Sequence, residues 1–514
     1  MRHVRALYLV VSASFMLGRA EPAAALNLNA LRSSIFKIQI VADEPSLTEP
    51  WKRLPSSHSS GTGFYIGDGR ILTNAHVVAN ASFVTVLRDG DAAPIAARVR
   101  FIGHDCDLAV LEAVEPAGIK AIAKLEAMTF GSLPKLRSPV STIGFPMGGD
   151  QLSITEGIVS RISYHRYIHH GNARHLLVQV DSAINPGNSG GPVVQGRQVI
   201  GVAFQTYTQA QSTGYIIPTP VVRRFLRDIA NGRYEGHPGD GLTTTDGALL
   251  NPSTAAFYGL DQDGGGVTVA HVNAWAPTSE LVKPGDILLA IDGQPIGIDG
   301  KVSYSGERVD FRTIFDLKLM GDKAHFSLMR DGQPRTVDVP IKPSLPHHST
   351  DLIYAKHPRY FVYAGLVFTV LSRNFLQTWG ERWYREAPLL LRYLDNNAMY
   401  LQDFAANQDI IVLAKRLPDN VNAYIPNHVH RVLRSVDDQP ISSMEALVAA
   451  FSQGTGEFVT IQFFGNLDQI VLDRSKAVAR NAIINKTYGV EPDRWLKGAT
   501  DDGAMHGSDG EGSH

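Results

Sequence analysis

The chain has 514 residues, with 48 Lys and Arg against 50 Asp and Glu and a formal net charge of −2. That length exceeds one hydrophobic core and predicts roughly two to four domains, while the charge balance argues against a nucleic-acid partner held by bulk electrostatics. An apolar share of 44% with 19% charged residues excludes wholesale disorder.

In chain order, Arg2 and Arg5 precede an uncharged, largely apolar run from Ala6 to Gly18, and small residues follow at Ala23, Ala24 and Ala25. Basic start, short apolar run and small-residue site are the marks of an export signal peptide over residues 1–25, cleaved after Ala25 or, as the alternative, Ala20. The run is shorter than the roughly 20 residues of a membrane span, and no later segment reads as one. An exported protein, in the bacterial periplasm, is the expectation.

A first folded unit is predicted over residues 30–232. From Ile35 to Pro220, short β-rich runs such as Ser33 to Val41, Arg70 to Thr73, Leu108 to Ala113 and Val199 to Phe204 are broken by Gly, Asn, Asp and Pro, the pattern of a sandwich or barrel. Val221 to Asn231 reads as an amphipathic closing helix with Phe225, Leu226 and Ile229 on one face, and Gly232 to Asp240 as a linker. A second unit is placed at residues 241–343. In it LVKPGDILLAIDG (Leu281 to Gly293) is an apolar strand ending in an Asp-Gly hairpin turn, Phe311 to Met320 looks helical, and strands follow at Lys323 to Arg330 and Pro334 to Ile341. Pro343 to Thr350 is a further linker. The third unit, residues 355–475, has an apolar stretch from Tyr360 to Ser372 suited to a sheet core. A helix is expected within Ala387 to Tyr400, another from Ser442 to Phe451 with Ser442 as N-cap, and strands at Ile410 to Ala414, Val429 to Val436, Phe458 to Phe464 and Gln469 to Leu472. The order turn, strand, Asp-Gln-Pro, helix, strand echoes the second unit. Residues 498–514, rich in Gly, Asp and Ser, read as a disordered tail.

Chemistry concentrates in the first unit. In Gly187-Asn188-Ser189-Gly190-Gly191-Pro192, a serine hydroxyl is a poor nucleophile unless a base takes its proton and its oxyanion is stabilised. Flanking glycines let the backbone turn sharply and aim the amides of Gly187 and Ser189 at one point, an oxyanion hole whose loss by one donor typically costs about 10²–10³ in rate. Asn188 shapes the turn between them. Thr73-Asn74-Ala75-His76-Val77-Val78 puts a histidine after a strand with an apolar run to fix it, as a general base requires. Asp105-Cys106-Asp107-Leu108 offers a carboxylate at the mouth of an apolar strand. Asp107, beside that run, is better placed than Asp105 to accept the His76 Nδ1 hydrogen and hold its tautomer. The order His76, Asp107, Ser189 is that of the chymotrypsin arrangement.

SSGTGFYI, TNAHVV, DLAVL, IGFPMG, EGIVS, AINPGNSGGP and GYIIP resemble, in order and spacing, the motif series of the HtrA/Deg serine proteases. LVKPGDILLAIDG is similar to the strand-and-turn signature of a PDZ domain, and FVYAGLVFTVL and QIVLD resemble the two-PDZ, plant-type Deg branch. The resemblance implies an all-β double β-barrel, chymotrypsin-like protease domain followed by two small α/β PDZ-like domains, the second divergent. It further implies an ATP-independent serine endopeptidase that degrades misfolded exported proteins, assembles as a homo-trimer or a multiple of trimers, and binds peptides through its PDZ units. The family's carboxylate-binding loop before the first PDZ strand is not evident in GLTTTDGALL. In this fold the residue six before the nucleophile lies at the base of the specificity pocket. Here it is Ala183, which cannot pair a charge. With Ile184 beside it and Gly201, Val202, Ala203 and Phe204 as the facing strand, a small apolar pocket is expected that prefers Val, Ala, Ile or Leu. The backbone of Ala203 and Phe204 would hold substrate as an added strand. Asp181 reads as structural.

No cofactor is expected. His165, His169, His170 and His175 crowd one stretch before the nucleophile, where the resemblance places a sensor loop. Without a Cys or paired acid they fall short of a metal site, and a mild pH response is the better expectation. Cys106, the sole cysteine, sits between aspartates that disfavour a thiolate and reads as structural. Two rivals keep a different function: a holdase or peptide-binding scaffold with a dormant triad, and a dedicated signalling protease that ignores unfolded proteins.

Overall fold

The computed structural model of the chain describes residues 31–147, 149, 151–206, 214–247, 251–260, 265–274, 276–343, 351–397, 404, 409–465 and 469–497. The expected signal peptide at residues 1–25 and the tail at 498–514 lie outside them. Strands β1 (Ile35–Ala42), β2 (Ser57–Gly67), β3 (Arg70–Thr73), β4 (Ala81–Arg88), β5 (Ile95–Gly103) and β6 (Leu108–Ala113) close a barrel in the order β1-β2-β3-β6-β5-β4. The alternation that predicted a strand at β1 is realised as one: Ile38 and Ile40 point inward while Gln39 faces solvent. Closure depends on small residues in β2, where a Cβ on Gly63 would come within 2.8 Å of Ile38 Cδ1 and 2.9 Å of Ile71 Cγ2.

A second barrel is built from β7 (Thr129–Phe130), β8 (Pro139–Gly144), β9 (Ser153–Arg166), β10 (Arg174–Val180), β11 (Pro192–Gln195), β12 (Gln198–Thr206) and β13 (Gly214–Pro218). Its order is β11-β8-β9-β10-β13-β12-β7, and pairing of β11 with β12 closes a ring of six. The helix Thr219–Asp228 then buries Val221, Val222 and Phe225 against it. Arg224 of that helix, wholly buried, bonds Asp228 at 2.7 Å and the backbone carbonyl of Lys318 at 3.2 Å, so one core runs from the second barrel into the second unit.

That second unit carries β14 (Leu242–Thr245), β15 (Val267–Val272), β16 (Ile287–Ile291), β17 (Gln294–Pro295), the hairpin β18 (Lys301–Tyr304) and β19 (Glu307–Asp310), then β20 (Lys323–Arg330) and β21 (Gln333–Pro340). The helix expected over Phe311 to Met320 is shorter, Arg312–Asp316. Asp322 Oδ2 accepts the Leu319 amide at 2.9 Å and Gly321 turns the chain at φ +91°, which ends the helix early.

The third unit consists of two sheets. One runs β24 (Ile411–Arg416), β23 (Leu366–Val370), β22 (Tyr360–Tyr363) and β29 (Arg494–Trp495). The other runs β26 (Gln439–Pro440), β25 (Leu433–Val436), β27 (Phe458–Phe463) and β28 (Gln469–Asp473). The apolar Tyr360 to Leu371 stretch is thus a buried hairpin, and among the described residues no helix is long and apolar enough to cross a membrane. The chain continues the unit past residue 475 with a helix Arg474–Tyr488, N-capped by Asp473, and returns β29 to pair with β22. The echo between the units has a structural form. Strand β16 pairs with β17 and β20, and β20 with β21; β25 pairs with β26 and β27, and β27 with β28. Asp292 and Asp437 turn the two hairpins with positive φ, and each carboxylate accepts the amide of the facing strand, His325 at 2.9 Å and Thr460 at 2.8 Å.

Candidate active site

His76 lies in a one-turn helix, Ala75–Val78, directly after β3, with Ala75, Val77 and Val78 buried beneath it. Asp107 precedes β6 with φ +51° and no solvent exposure. One carboxylate oxygen accepts the His76 backbone amide at 2.7 Å, and the other lies 2.6 Å from His76 Nδ1. Asn74 Nδ2 donates to the Asp107 carbonyl at 2.9 Å. An ionised carboxylate only accepts, so Nδ1 carries its hydrogen and Nε2 keeps its lone pair. The His76 side chain is 32% exposed, so a buried anion orients a ring that still reaches solvent. Burial favours the neutral acid, but His76 and His169 outweigh it and hold Asp107 below the usual carboxylate range.

Ser189 sits on the loop between β10 and β11 of the other barrel, so the two barrels contribute opposite sides of the site. Thr62 of β2 stitches them together: its amide donates to the Ser189 carbonyl at 2.8 Å, and its hydroxyl donates to the Gly187 carbonyl at 2.7 Å and accepts the Phe145 amide at 2.9 Å. Thr62 lies in the motif SSGTGFYI, yet sequence reasoning gave it no role, because its partners are Gly187 and Ser189, more than a hundred residues away. Gly190 shows the closeness of the approach, since at φ +83° a Cβ there would stand 2.1 Å from the Thr62 carbonyl oxygen.

The Pro186 carbonyl is held outward by the Met147 amide at 2.7 Å. In a trans peptide C=O and N–H point oppositely, so the Gly187 amide is turned the other way. Among the described residues no hydrogen bond takes up the Gly187 or Ser189 amide. Asn188 is buried, and its amide closes the turn on the Asn185 carbonyl at 3.0 Å. The Ser189 hydroxyl donates to the Phe204 carbonyl at 3.2 Å, and no hydrogen bond joins it to His76 among the described residues.

The residues expected at the specificity pocket divide. Ala183 is exposed and its carbonyl accepts from Thr155 Oγ1 at 2.9 Å. Ile184 is buried among Val178, Ala203 and Ile216 and presses on Gly214, where a Cβ would meet Ile184 Cδ1 at 2.8 Å. Gly201 pairs with Pro218 across the ladder, and Val202 faces the inner core. The backbone of Ala203 is already engaged, its amide on the Gly191 carbonyl at 2.8 Å and its carbonyl on the Gly190 amide at 2.9 Å. The expectation that Ala203 and Phe204 both offer backbone to substrate therefore narrows to Phe204. Asp181 Oδ1 accepts the Ile158 amide at 2.5 Å, a structural duty. Cys106 is buried, and burial raises its thiol well above the ordinary value.

The four histidines that crowd the sequence separate in space. His165 is exposed on β9, and His170 lies 3.5 Å from Asp351. His169 turns inward, with Nε2 4.0 Å from Asp107. His175 faces Asp316 of the second unit at 2.9 Å, and His237 meets the same oxygen at 2.8 Å. The donor atoms of His175, His237 and Asp316 lie within 4.8 Å of one another. This is the one set among the described residues with the composition of a metal centre, although each imidazole already spends Nδ1 on Asp316.

A family model described as a trypsin-like peptidase domain matches residues 61–202, and one described as a PDZ domain matches residues 349–495. The chain is similar to "Protease Do-like 4, mitochondrial" of Arabidopsis thaliana, 36% identical over 70% of this chain and 68% of that protein. It is also similar to "Protease Do-like 2, chloroplastic" of the same organism, 33% identical over 90% of this chain and 74% of that protein. Among solved structures, an HtrA-type protease AlgW with decapeptide is 26% identical, covering 62% of this chain and 98% of that one with a TM-score of 0.46.

Proposed function

The chain belongs to the Do-like (HtrA/Deg) family of trypsin-like serine proteases, and we propose that it is an ATP-independent endopeptidase for unfolded or misfolded polypeptides. In this reading Ser189 attacks the scissile carbonyl while His76 takes its proton, and Asp107 holds the ring and stabilises the imidazolium. The Gly187 and Ser189 amides receive the oxyanion on a turn shaped by Asn188. His76 then returns the proton to the leaving amine, and water releases the acyl group from Ser189. The observation that carries the reading is the double grip of Asp107 on His76, through Nδ1 and the backbone amide, which leaves one ring nitrogen for proton transfer. Rotation of the Ser189 hydroxyl from the Phe204 carbonyl toward that nitrogen is the step from rest to attack.

Ala183, Ile184 and Phe204 border a pocket for small aliphatic side chains, a preference supported by the apolar contacts of Ile184 and by an alanine rather than an acid at position 183. The second and third units take peptide ligands, and the whole works as a homo-trimer or a multiple of trimers. Residues 1–25 support an exported protein, in the bacterial periplasm, whereas the relatives named above carry organellar names. Fractionation of a tagged chain decides between those compartments.

The test of the activity is degradation of an unfolded model protein by wild type and Ser189→Ala, with cleavage sites mapped. Cleavage lost in the variant, with products ending in Val, Ala, Ile or Leu, supports the mechanism and the pocket. Suppression of aggregation by both proteins without cleavage by either favours the holdase reading. Refusal of unfolded proteins with cleavage of one folded target favours a dedicated protease.

A further inference from the structure

Asp107 has a second imidazole beside it. His169 Nε2 lies 4.0 Å from Asp107 Oδ1, and its ring centre is 6.0 Å from that of His76. The same Nε2 lies 2.9 Å from His104 Nδ1. One of these two nitrogens carries the shared hydrogen, and the nearby anion selects His169 Nε2–H, because a lone pair there would face the carboxylate. His104 then accepts at Nδ1. Burial pushes His169 down to about 4 and His104 to about 3, so both are neutral near pH 7. His169 gives its Nε2 hydrogen to His104 Nδ1, and the positive end of that dipole lies beside a fully buried carboxylate 4.0 Å from Nε2 without adding a charge that would compete with His76.

His169 is held by a segment from a distant part of the chain. Tyr354 stacks on its ring at 4.2 Å and 23°, and on the His104 ring at 4.6 Å and 24°. Its hydroxyl donates to the His169 carbonyl at 2.6 Å. On either side, the Leu352 amide donates to the His170 carbonyl at 3.1 Å, and the Ala355 amide to Asn80 Oδ1 at 2.5 Å, just past the His76 helix. Residue 353 is tied to the third unit, its amide and carbonyl both bonded by the Asn374 side chain at 2.8 and 2.9 Å.

We propose that His169 is a positioning residue for the Asp107–His76 pair, and that Tyr354 holds it there, so that docking of residues 351–355 on the protease barrel completes the site. This rests on the reading of Asp107, His76 and Ser189 given above. It assigns to the strap between the second and third units a direct part in activating Ser189.

The experiment compares His169→Leu, His169→Gln, Tyr354→Ala and Tyr354→Phe in the full chain. Acylation of Ser189 by a fluorophosphonate reagent is timed, kcat and KM are measured on a fluorogenic valine peptide, and a thermal melt is run on each variant. Gln restores an N–H near the Nε2 position, and Phe keeps the stack without the hydroxyl. The expected result is a fall of roughly 10- to 100-fold in acylation and in kcat for His169→Leu and Tyr354→Ala. KM should stay within about twofold, and His169→Gln and Tyr354→Phe should recover most of the rate. Rates for His169→Leu and Tyr354→Ala within about twofold of wild type overturn the proposal. So does a Gln variant as slow as Leu, which reduces His169 to packing. If His169→Leu loses its thermal transition, the Tyr354 pair decides, since its ring lies outside both barrels. Ser189→Ala run in parallel separates the two claims: hydrolysis surviving there removes the Ser189 reading itself, whereas a dead Ser189→Ala beside a full-rate His169→Leu removes only this one.

Discussion

Two histidine–carboxylate sites in this molecule use the same residue types for opposite ends. At His76 and Asp107 the acid is buried and the ring half emerges. Its Nδ1 is bound at 2.6 Å and Nε2 is left with a lone pair. At His175, Asp316 and His237 every side chain is about 3% exposed. His175 Nε2 faces the Asp105 carbonyl at 2.9 Å, and Nδ1 faces the Asp316 carboxylate at 2.9 and 3.1 Å. Both partners accept only, so both nitrogens carry hydrogen and His175 is an imidazolium. Burial opposes that charge, but Asp316 and Asp105 outweigh it and raise His175 above the ordinary histidine value. Reactivity is therefore decided by what the second nitrogen meets. Solvent and substrate leave a base; a carbonyl makes a lock. The lock joins β10 of the protease, the linker at His237 and the helix Arg312–Asp316 of the second unit.

The sharpest way to break this comparison is to neutralise each acid. Asp107→Asn leaves His76 facing an amide and favours the wrong tautomer; kcat should fall by on the order of 10³–10⁴ with a small change in melting. Asp316→Asn strands the His175 charge, and removing one partner of a buried pair typically costs about 3–5 kcal/mol. Its melting point should drop while kcat of the folded enzyme stays within a few-fold. Calorimetry and peptide hydrolysis on the same preparations check both. A folded Asp316→Asn protein as inactive as Asp107→Asn would erase the distinction.

The two sites also differ in how far the sequence announced them. His76, Asp107 and Ser189 each stand in a short local pattern, a strand end or a Gly-framed turn, whose chemistry is evident from a few neighbours. The barrels were legible for a similar reason, since alternation like that of Ile38, Gln39 and Ile40 is local. His175, His237 and Asp316 have no such pattern. They come from three segments, with |i−j| of 141 for His175 and Asp316 and 79 for His237 and Asp316, and only the fold makes them neighbours. The crowding of His165, His169, His170 and His175 misled in the opposite way. Residues adjacent on β9, its hairpin and β10 point to different faces, so one sequence cluster became four separate environments. Thr62 and Tyr354 escaped notice because their partners are likewise distant in sequence.

A smaller effect sharpens the comparison through pH. His175 has a raised pKa, so its contribution to stability is fully present below about 6.5, the unfolded value, and is lost as pH rises through the folded value. His237 is shifted the other way, mainly by burial, with Asp316 only partly offsetting. Below about pH 6.5 the unfolded chain takes a proton there that the fold refuses, so stability falls as the solution becomes more acid. Asp316 is held far below the carboxylate range despite burial, because the two histidines outweigh it. Its contribution persists down to about pH 4 and is lost beneath it. Stability should therefore peak near pH 6.5. His175→Leu should flatten the alkaline limb and, by leaving the buried Asp316 charge with only the His237 hydrogen, cost on the order of 3 kcal/mol. Denaturant midpoints between about pH 5 and 8.5 measure both limbs; an alkaline limb unchanged in the variant assigns that proton elsewhere.

The smallest expected effect is the most discriminating one. His237 gives Asp316 a single hydrogen from Nδ1, while its Nε2, buried, has no hydrogen-bond partner among the described residues. Asn at this position places an amide N–H close to Nδ1, so His237→Asn keeps the bond to Asp316 and discards the unpartnered nitrogen. The loss is chiefly ring packing against His175, whose ring centre lies 4.3 Å away, and the two changes oppose each other. Stability near pH 7 should move by less than about 1 kcal/mol. Yet the acid limb should become shallower by the share of one imidazole, the remainder belonging to His104 and His169, which burial also keeps neutral. An acid limb that persists unchanged in His237→Asn would mean that another group releases the proton, and the lock would then be a simple His175–Asp316 pair with His237 as a bystander.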